Sequence, residues 1–205
     1  MKKCCLISFI IMAFVITVMV IIFNIITEKK ELHLTDIKLG KKVTSAEKAI
    51  TIAKEYNNKW DSRAAIESLL IKYLNKNDLI NDMPEFVIWA GYNNKYNWLR
   101  DVYTTTTIRD DTLDFHAVST PGLGIIGVKI DENLHFPTSD EIIDILDLST
   151  VTTNVNWREL NDFLLVVYPY KNGLNIRIVH NIDELEFYYN LHSKEITIEK
   201  NGIVD

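Results

Sequence analysis

A chain of 205 residues, 47% of them hydrophobic and with a formal net charge of −6, is long enough for one folded domain or two small ones. With Lys2 and Lys3 set aside, the rest carries 20 basic against 28 acidic side chains, which excludes the basic footprint of a nucleic-acid binder and tight docking on an anionic lipid surface. The two cysteines are Cys4 and Cys5, so the remainder of the chain has no disulfide framework, thiolate nucleophile or cysteine-ligated zinc.

Residues 4–26 contain no charged side chain and are almost wholly aliphatic or aromatic. Such a run matches the ~20 apolar residues a helix needs to cross a hydrocarbon core of ~30 Å. It is longer than the apolar part of a cleavable signal, ~7–15 residues, and ends Phe23-Asn24-Ile25-Ile26-Thr27 without a small-residue cleavage site. The expectation is an uncleaved single-pass anchor over residues 1–27. The short basic start favours a C-terminal part outside the cell, although Lys29, Lys30, Lys38, Lys41 and Lys42 after the run outnumber the lysines before it.

Residues 28–43 read as a charged tether. Thr44-Ser45-Ala46-Glu47 then offers a helix cap, and Ala46, Ala49, Ile50, Ile52, Ala53 and Tyr56 follow at helical spacing as far as Trp60. Residues 61–76 are ambiguous. Ile66, Leu69, Leu70 and Tyr73 fit a helix capped by Asp61-Ser62, while the run Ile66–Tyr73 also reads as a strand; the spacing leans towards helix. Beyond Pro84 the character is β: Glu85–Tyr92, Trp98–Ile108, Leu113–Ser119 and Ile125–Ile130, divided by the turn signals Asn93-Asn94, Pro121–Gly124 and Asp131–Asn133.

A second cycle opens at Pro137. Thr138-Ser139-Asp140-Glu141 starts a helix with acids where its dipole favours them, and Ile142, Ile143, Ile145 and Leu146 supply the apolar side. Strands are expected at Phe163–Tyr168, Leu174–Val179, Leu185–Leu191 and Glu195–Glu199. Helix followed by meander thus occurs twice, over residues 44–136 and 137–205. The fold class this implies is α+β: a transmembrane helix, then antiparallel sheet with helices packed on one face.

Three stretches carry a family resemblance. Ser45-Ala46-Glu47-Lys48-Ala49-Ile50-Thr51-Ile52-Ala53 is similar to the opening helix of PepSY-type propeptide-like domains, and Trp60-Asp61 follows at a spacing seen in longer members. The stretch from Phe187 to Ile196 resembles their closing hairpin, with Val128-Lys129-Ile130-Asp131 as the corresponding end of a first copy. Asn190 stands where the family usually has Asp. Lys194 stands where it has Gly, a residue that adopts the turn's left-handed geometry more easily. The resemblance implies two tandem copies over most of residues 44–200. It also implies an inhibitory, chaperone-like or regulatory envelope module with no catalytic residues to carry over.

Isolated motifs point to no chemistry. Gly122-Leu123-Gly124-Ile125-Ile126-Gly127 fits G-x-G-x-x-G but leads into a strand-like run, whereas a dinucleotide site needs it to open a helix. Asp114 and His116 share one strand face, ~6.6 Å apart along it, and Ser119 lies on the other, so they do not form a hydrogen-bonded triad. Asp110, Asp111 and Asp114 lack a calcium-loop pattern, and His33, His135, His180 and His192 lack zinc-ligand spacing. Trp89, Tyr92, Tyr96, Trp98 and Tyr103 crowd one hairpin; cross-strand pairing accounts for most of them, and they also form the candidate partner surface.

The functional expectation is a membrane-tethered, non-enzymatic module that binds a protein or peptide at the outer face of the cell membrane, without cofactor, metal or nucleic acid. The alternatives are a structural or assembly subunit of an envelope complex, and an envelope enzyme whose site gathers Asp114, His116 and Glu141.

Overall fold

A computed structural model of the chain describes residues 11–19, 30–60, 64–92, 100–121, 134–153, 155–160, 162–170, 172–180 and 183–203. The Gly122–Gly127 motif, the strand expected at Ile125–Ile130, Tyr96 and Trp98 lie outside these residues, as do the ends of the apolar run. Within that run residues 11–19 are helical (α1). Among the described residues no helix is long and apolar enough to cross a membrane.

The fold is α+β, built on one antiparallel sheet of nine strands. In chain order these are β1 (Lys30–Lys38), β2 (Ala64–Tyr73), β3 (Glu85–Tyr92), β4 (Arg100–Arg109), β5 (Thr112–Pro121), β6 (Leu164–Tyr170), β7 (Gly173–His180), β8 (Asp183–Asn190) and β9 (Ile196–Ile203). The helices are α2 (Ala46–Trp60), α3 (Lys76–Ile80) and α4 (Ser139–Thr153), with a 3₁₀ turn at Trp157–Glu159. Spatially the strands run β1-β5-β4-β3-β2-β6-β7-β8-β9, so the meander after α2 and the meander after α4 meet through their first strands. That junction comprises Ile71 opposite Val167, Lys72 opposite Val166 and Tyr73 opposite Leu165.

Cross-strand partners share a face. One line of partners runs Ile37, Leu113, Ile108, Phe86, Ile71, Val167, Ile176, Phe187 and Ile198, crossing every strand. Its central members are buried, and they join Ala46, Ala49 and Ala53 of α2 and Ile142, Ile145 and Leu146 of α4 in a single core. Both long helices therefore cover the same face. Alanines on the buried side of α2 let it lie close to the sheet, and buried Asn57 on that side accepts a hydrogen bond from Thr104 Oγ1 at 2.6 Å.

Two sequence expectations are corrected. Residues 28–43 are not simply a tether, because Lys30–Lys38 forms the edge strand β1 against β5 and Val43 is buried in the core. Residues 61–76 do not carry the favoured helix: Ala64–Tyr73 is β2. Both strands carry a bulge that breaks their alternation. A register shift between Leu34 and Ile37, and another between Ile66 and Ser68, places apolar residues three apart on one face. A bulge inserts an extra residue into a period-two pattern, so Ile66 and Leu69 both face inward and their spacing imitates a helix. In β1, Asp36 takes φ 54° and its N–H donates to Asp114 Oδ1 at 2.8 Å, holding the bulge on β5.

The start of α4 is a capping box: Thr138 Oγ1 accepts from the Glu141 N–H at 3.3 Å and Glu141 Oε2 accepts from the Thr138 N–H at 2.9 Å. Its next residue, Ser139, ties the helix to the sheet. Tyr73 Oη donates to Ser139 Oγ at 3.0 Å, and Ser139 Oγ donates to Asp82. Burial, with the Asp82 charge adding to it, pushes the Tyr73 phenol up to about 12, against the hydrogen bond to Ser139. The neutral phenol is thus favoured in the fold. An unfolded tyrosine ionises from about pH 10, so the native state binds the extra proton between pH 10 and 12 and stability falls across that window. The expected loss is about 2–3 kcal/mol. Urea unfolding at pH 9 and near pH 12 should show it as a difference between the wild type and Tyr73→Phe; equal alkaline losses in both proteins would reject this role for Tyr73.

Candidate functional site

The helix-free face of the sheet carries Trp89 and Tyr103. Phe86, Ile88 and Ala90 of β3 point into the core, so Trp89 between them points away; Tyr103, between buried Val102 and Thr104, does the same and is 45% exposed. Trp89 stands opposite Thr105, and Tyr103 opposite Gly91, which places the two aromatics diagonally on neighbouring strands. Tyr92 ends β3 opposite Ala64.

A further group borders this pair. The line through Ser68, Trp89 and Thr105 continues to His116 and His33. The two imidazoles lie 5.2 Å apart between centroids, and His116 Nε2 is 2.9 Å from Glu31 Oε1. Beside Tyr103, the Glu67 carboxylate lies over Gly91, where an added Cβ would come within 2.2 Å of Oε1. Glu67 sits in the bulge of β2, and partial burial holds its carboxyl above the ordinary range. A glycine inside a strand often marks such a close approach, so Gly91 was the one sequence signal for this arrangement.

Farther along the same face opposite charges stand across from one another on β4, β3 and β2 and again on β7 and β8. Arg109, Glu85, Lys72, Val166, Arg177 and Glu186 follow one another from β4 to β8. Lys72 Nζ lies 3.5 Å from Glu85 Oε1, Arg177 Nη2 lies 2.7 Å from Glu184 Oε2, and Tyr168 Oη donates to Glu186 Oε1 at 2.7 Å. The helix-free face is therefore aromatic over β3 and β4 and ionic over β7 and β8.

The dispersed-site arrangement does not assemble. Asp114 and His116 stand on the helix-free face of β5, whereas Glu141 belongs to α4 on the opposite face. Asp114 instead accepts the Asp36 N–H, and Ser119 alternates with it onto the core side. Asp110 and Asp111 form the β4–β5 turn and pair with Lys42 at 3.1 Å and Lys38 at 2.9 Å. Among the described residues no group of three or more His, Cys, Asp or Glu side chains is placed to hold a metal ion.

The hairpin between β8 and β9 departs from the expectation in another way. Lys194 takes φ 61°, so the left-handed turn forms despite the missing glycine. Asn190 Oδ1 accepts from the His192 and Ser193 N–H groups at 2.9 and 3.1 Å, and the Lys194 N–H donates to the Asn190 carbonyl. An Asx turn, available to Asn as to Asp, supports the strained position.

Comparison with known proteins adds no relative: no protein-family model, curated protein or solved structure matches the chain.

Proposed function

We infer that the chain is a membrane-tethered, non-enzymatic module, similar in kind to PepSY domains, that binds a protein or peptide at the outer face of the cell membrane and acts as an inhibitor or regulator. The observation that carries this reading is the one-sided sheet: α2 and α4 cover one face, while Trp89 and Tyr103 stand on the other among the described residues. Aromatic anchors of this kind supply much of the energy of protein interfaces. The sheet also ends in β1 and β9, and an edge strand can take up an extended peptide. The apolar run over residues 4–26 supports the tether, and the recurrence of helix then meander after α2 and α4 supports the PepSY likeness.

Two measurements test it. The chain past residue 5 has no cysteine, so Cys4→Ser and Cys5→Ser with Val151→Cys, at a site 82% exposed, gives one reporter thiol. A membrane-impermeant maleimide should label it in intact cells; labelling only after permeabilisation would overturn the outward orientation. A photo-crosslinking residue at Tyr103 should give a discrete adduct in native membranes that Trp89→Ala weakens and the same probe at Val151 does not form. An adduct pattern indifferent to position would sink the partner surface.

A further inference from the structure

A cleft of about 360 Å³ opens on the helix side of the sheet, between α4 and the end of the β7–β8 hairpin. That volume falls at the lower end of the ~300–1,000 Å³ typical of small-molecule sites. Its apolar surface comes from Ile145 and Leu148 of α4, from Leu174 and Tyr189, which are cross-strand partners on β7 and β8, and from Leu191. Ile145, Leu174 and Tyr189 are buried and form its floor, while Leu148, 45% exposed, and half-buried Leu191 supply its accessible apolar wall.

The charges around the cleft are unequally committed. Glu141 accepts from the Thr138 N–H and hydroxyl and lies 3.3 Å from His135 Nε2. Although burial acts to raise it, these contacts hold the Glu141 carboxyl below its ordinary range. Asp144, one helical turn on, has no ion pair or hydrogen bond among the described residues. Lys194 has no carboxylate partner there either; its ammonium lies 5.9 Å from the centroid of the Tyr189 ring. Its left-handed backbone is the strained choice at that turn, and the lysine lines the cleft from it. Among the described residues an acid without an ion pair and a base without a carboxylate partner thus line the same cleft from different elements.

The geometry points to a binding site for a zwitterionic ligand with an apolar body: its ammonium on Asp144, its carboxylate on Lys194 and its side chain against Leu148 and Leu191. A free apolar α-amino acid and a short apolar peptide share this chemistry. The site stands apart from the partner surface, which lies on the other face of the sheet, so either reading can fail without the other.

Titration calorimetry on the full chain in detergent, using L-leucine and the dipeptide Leu-Leu, tests it. Saturable binding is expected for at least one of them, and whichever binds more tightly identifies the source. N-acetyl-leucine and leucinamide each lack one charge and should bind about tenfold more weakly or worse than L-leucine, as should N-acetyl-Leu-Leu and Leu-Leu-amide relative to the dipeptide. Asp144→Asn should weaken the zwitterion while leaving the N-acetyl compound unchanged, and Lys194→Met should leave the amide unchanged. Both substitutions are at the surface, and unaltered thermal unfolding will show that the fold is retained. No saturable binding of either zwitterion, or binding that ignores both substitutions, overturns the proposal.

Discussion

Val167→Asp is expected to unfold the whole described domain and not only the strands after α4. Val167 is fully buried opposite Ile71, in the three-residue junction between β2 and β6, with Ile176 on its other side. An unpaired carboxylate there costs several kcal/mol, comparable with the ~5–15 kcal/mol net stability of a typical domain. Because α2, α4 and both meanders share one core, the damage has no boundary at which to stop. Val167→Ala provides a graded version, with an expected loss of about 2–3 kcal/mol from the removed methyl groups and the cavity they leave. Hydrogen exchange should then show β3–β4 and β7–β8 amides losing protection together. Retained protection in β3–β4 with loss in β7–β8 would mean that the halves fold separately.

Gly173→Ala should be damaging where Gly91→Ala is tolerated, although both glycines lie in strands. At Gly173 an added Cβ would meet the Tyr189 carbonyl oxygen at 2.2 Å and the Tyr188 ring at 2.5 Å. Backbone of the neighbouring strand has to move, and overpacking of this kind costs about 1–3 kcal/mol. At Gly91 the obstacle is the far end of Glu67, which can swing into solvent. Chemical denaturation should give a loss of more than 1 kcal/mol for Gly173→Ala and a change within about 0.5 kcal/mol for Gly91→Ala. Equal effects would show that the tyrosine does not hold its place over Gly173. Since Tyr189 also lines the cleft, Gly173→Ala should weaken zwitterion binding as well.

The contrast between these residues shows which parts of the molecule could be read from sequence. Ala46–Trp60 and Ser139–Thr153 carry local signals, a cap followed by helical apolar spacing, and both form helices. The strands from β3 to β9 follow from alternation and turn residues. In β1 and β2 the local signal misleads, because each bulge turns a two-residue period into a three-residue step. Long-range pairing has no local signature: nothing near residue 71 or residue 167 announces that they meet. The aromatic surface was legible as composition at Trp89 and Tyr103, but not the Glu67 carboxylate beside them. Asp144 and Lys194 are 50 positions apart, and only the fold brings both to one cleft.

The early start of β1 limits where the module can work. Lys30 already pairs with Ser119, four positions after the apolar run ends at Ile26. An extended chain spans at most ~3.3–3.6 Å per residue, so a domain anchored through that run has a leash on the order of 15 Å. It cannot patrol the space beyond the membrane. On the reading proposed above, a partner would have to come to the bilayer surface, and lengthening this short connection, which leaves every contact of the sheet intact, would change the reach of the protein without changing its affinity.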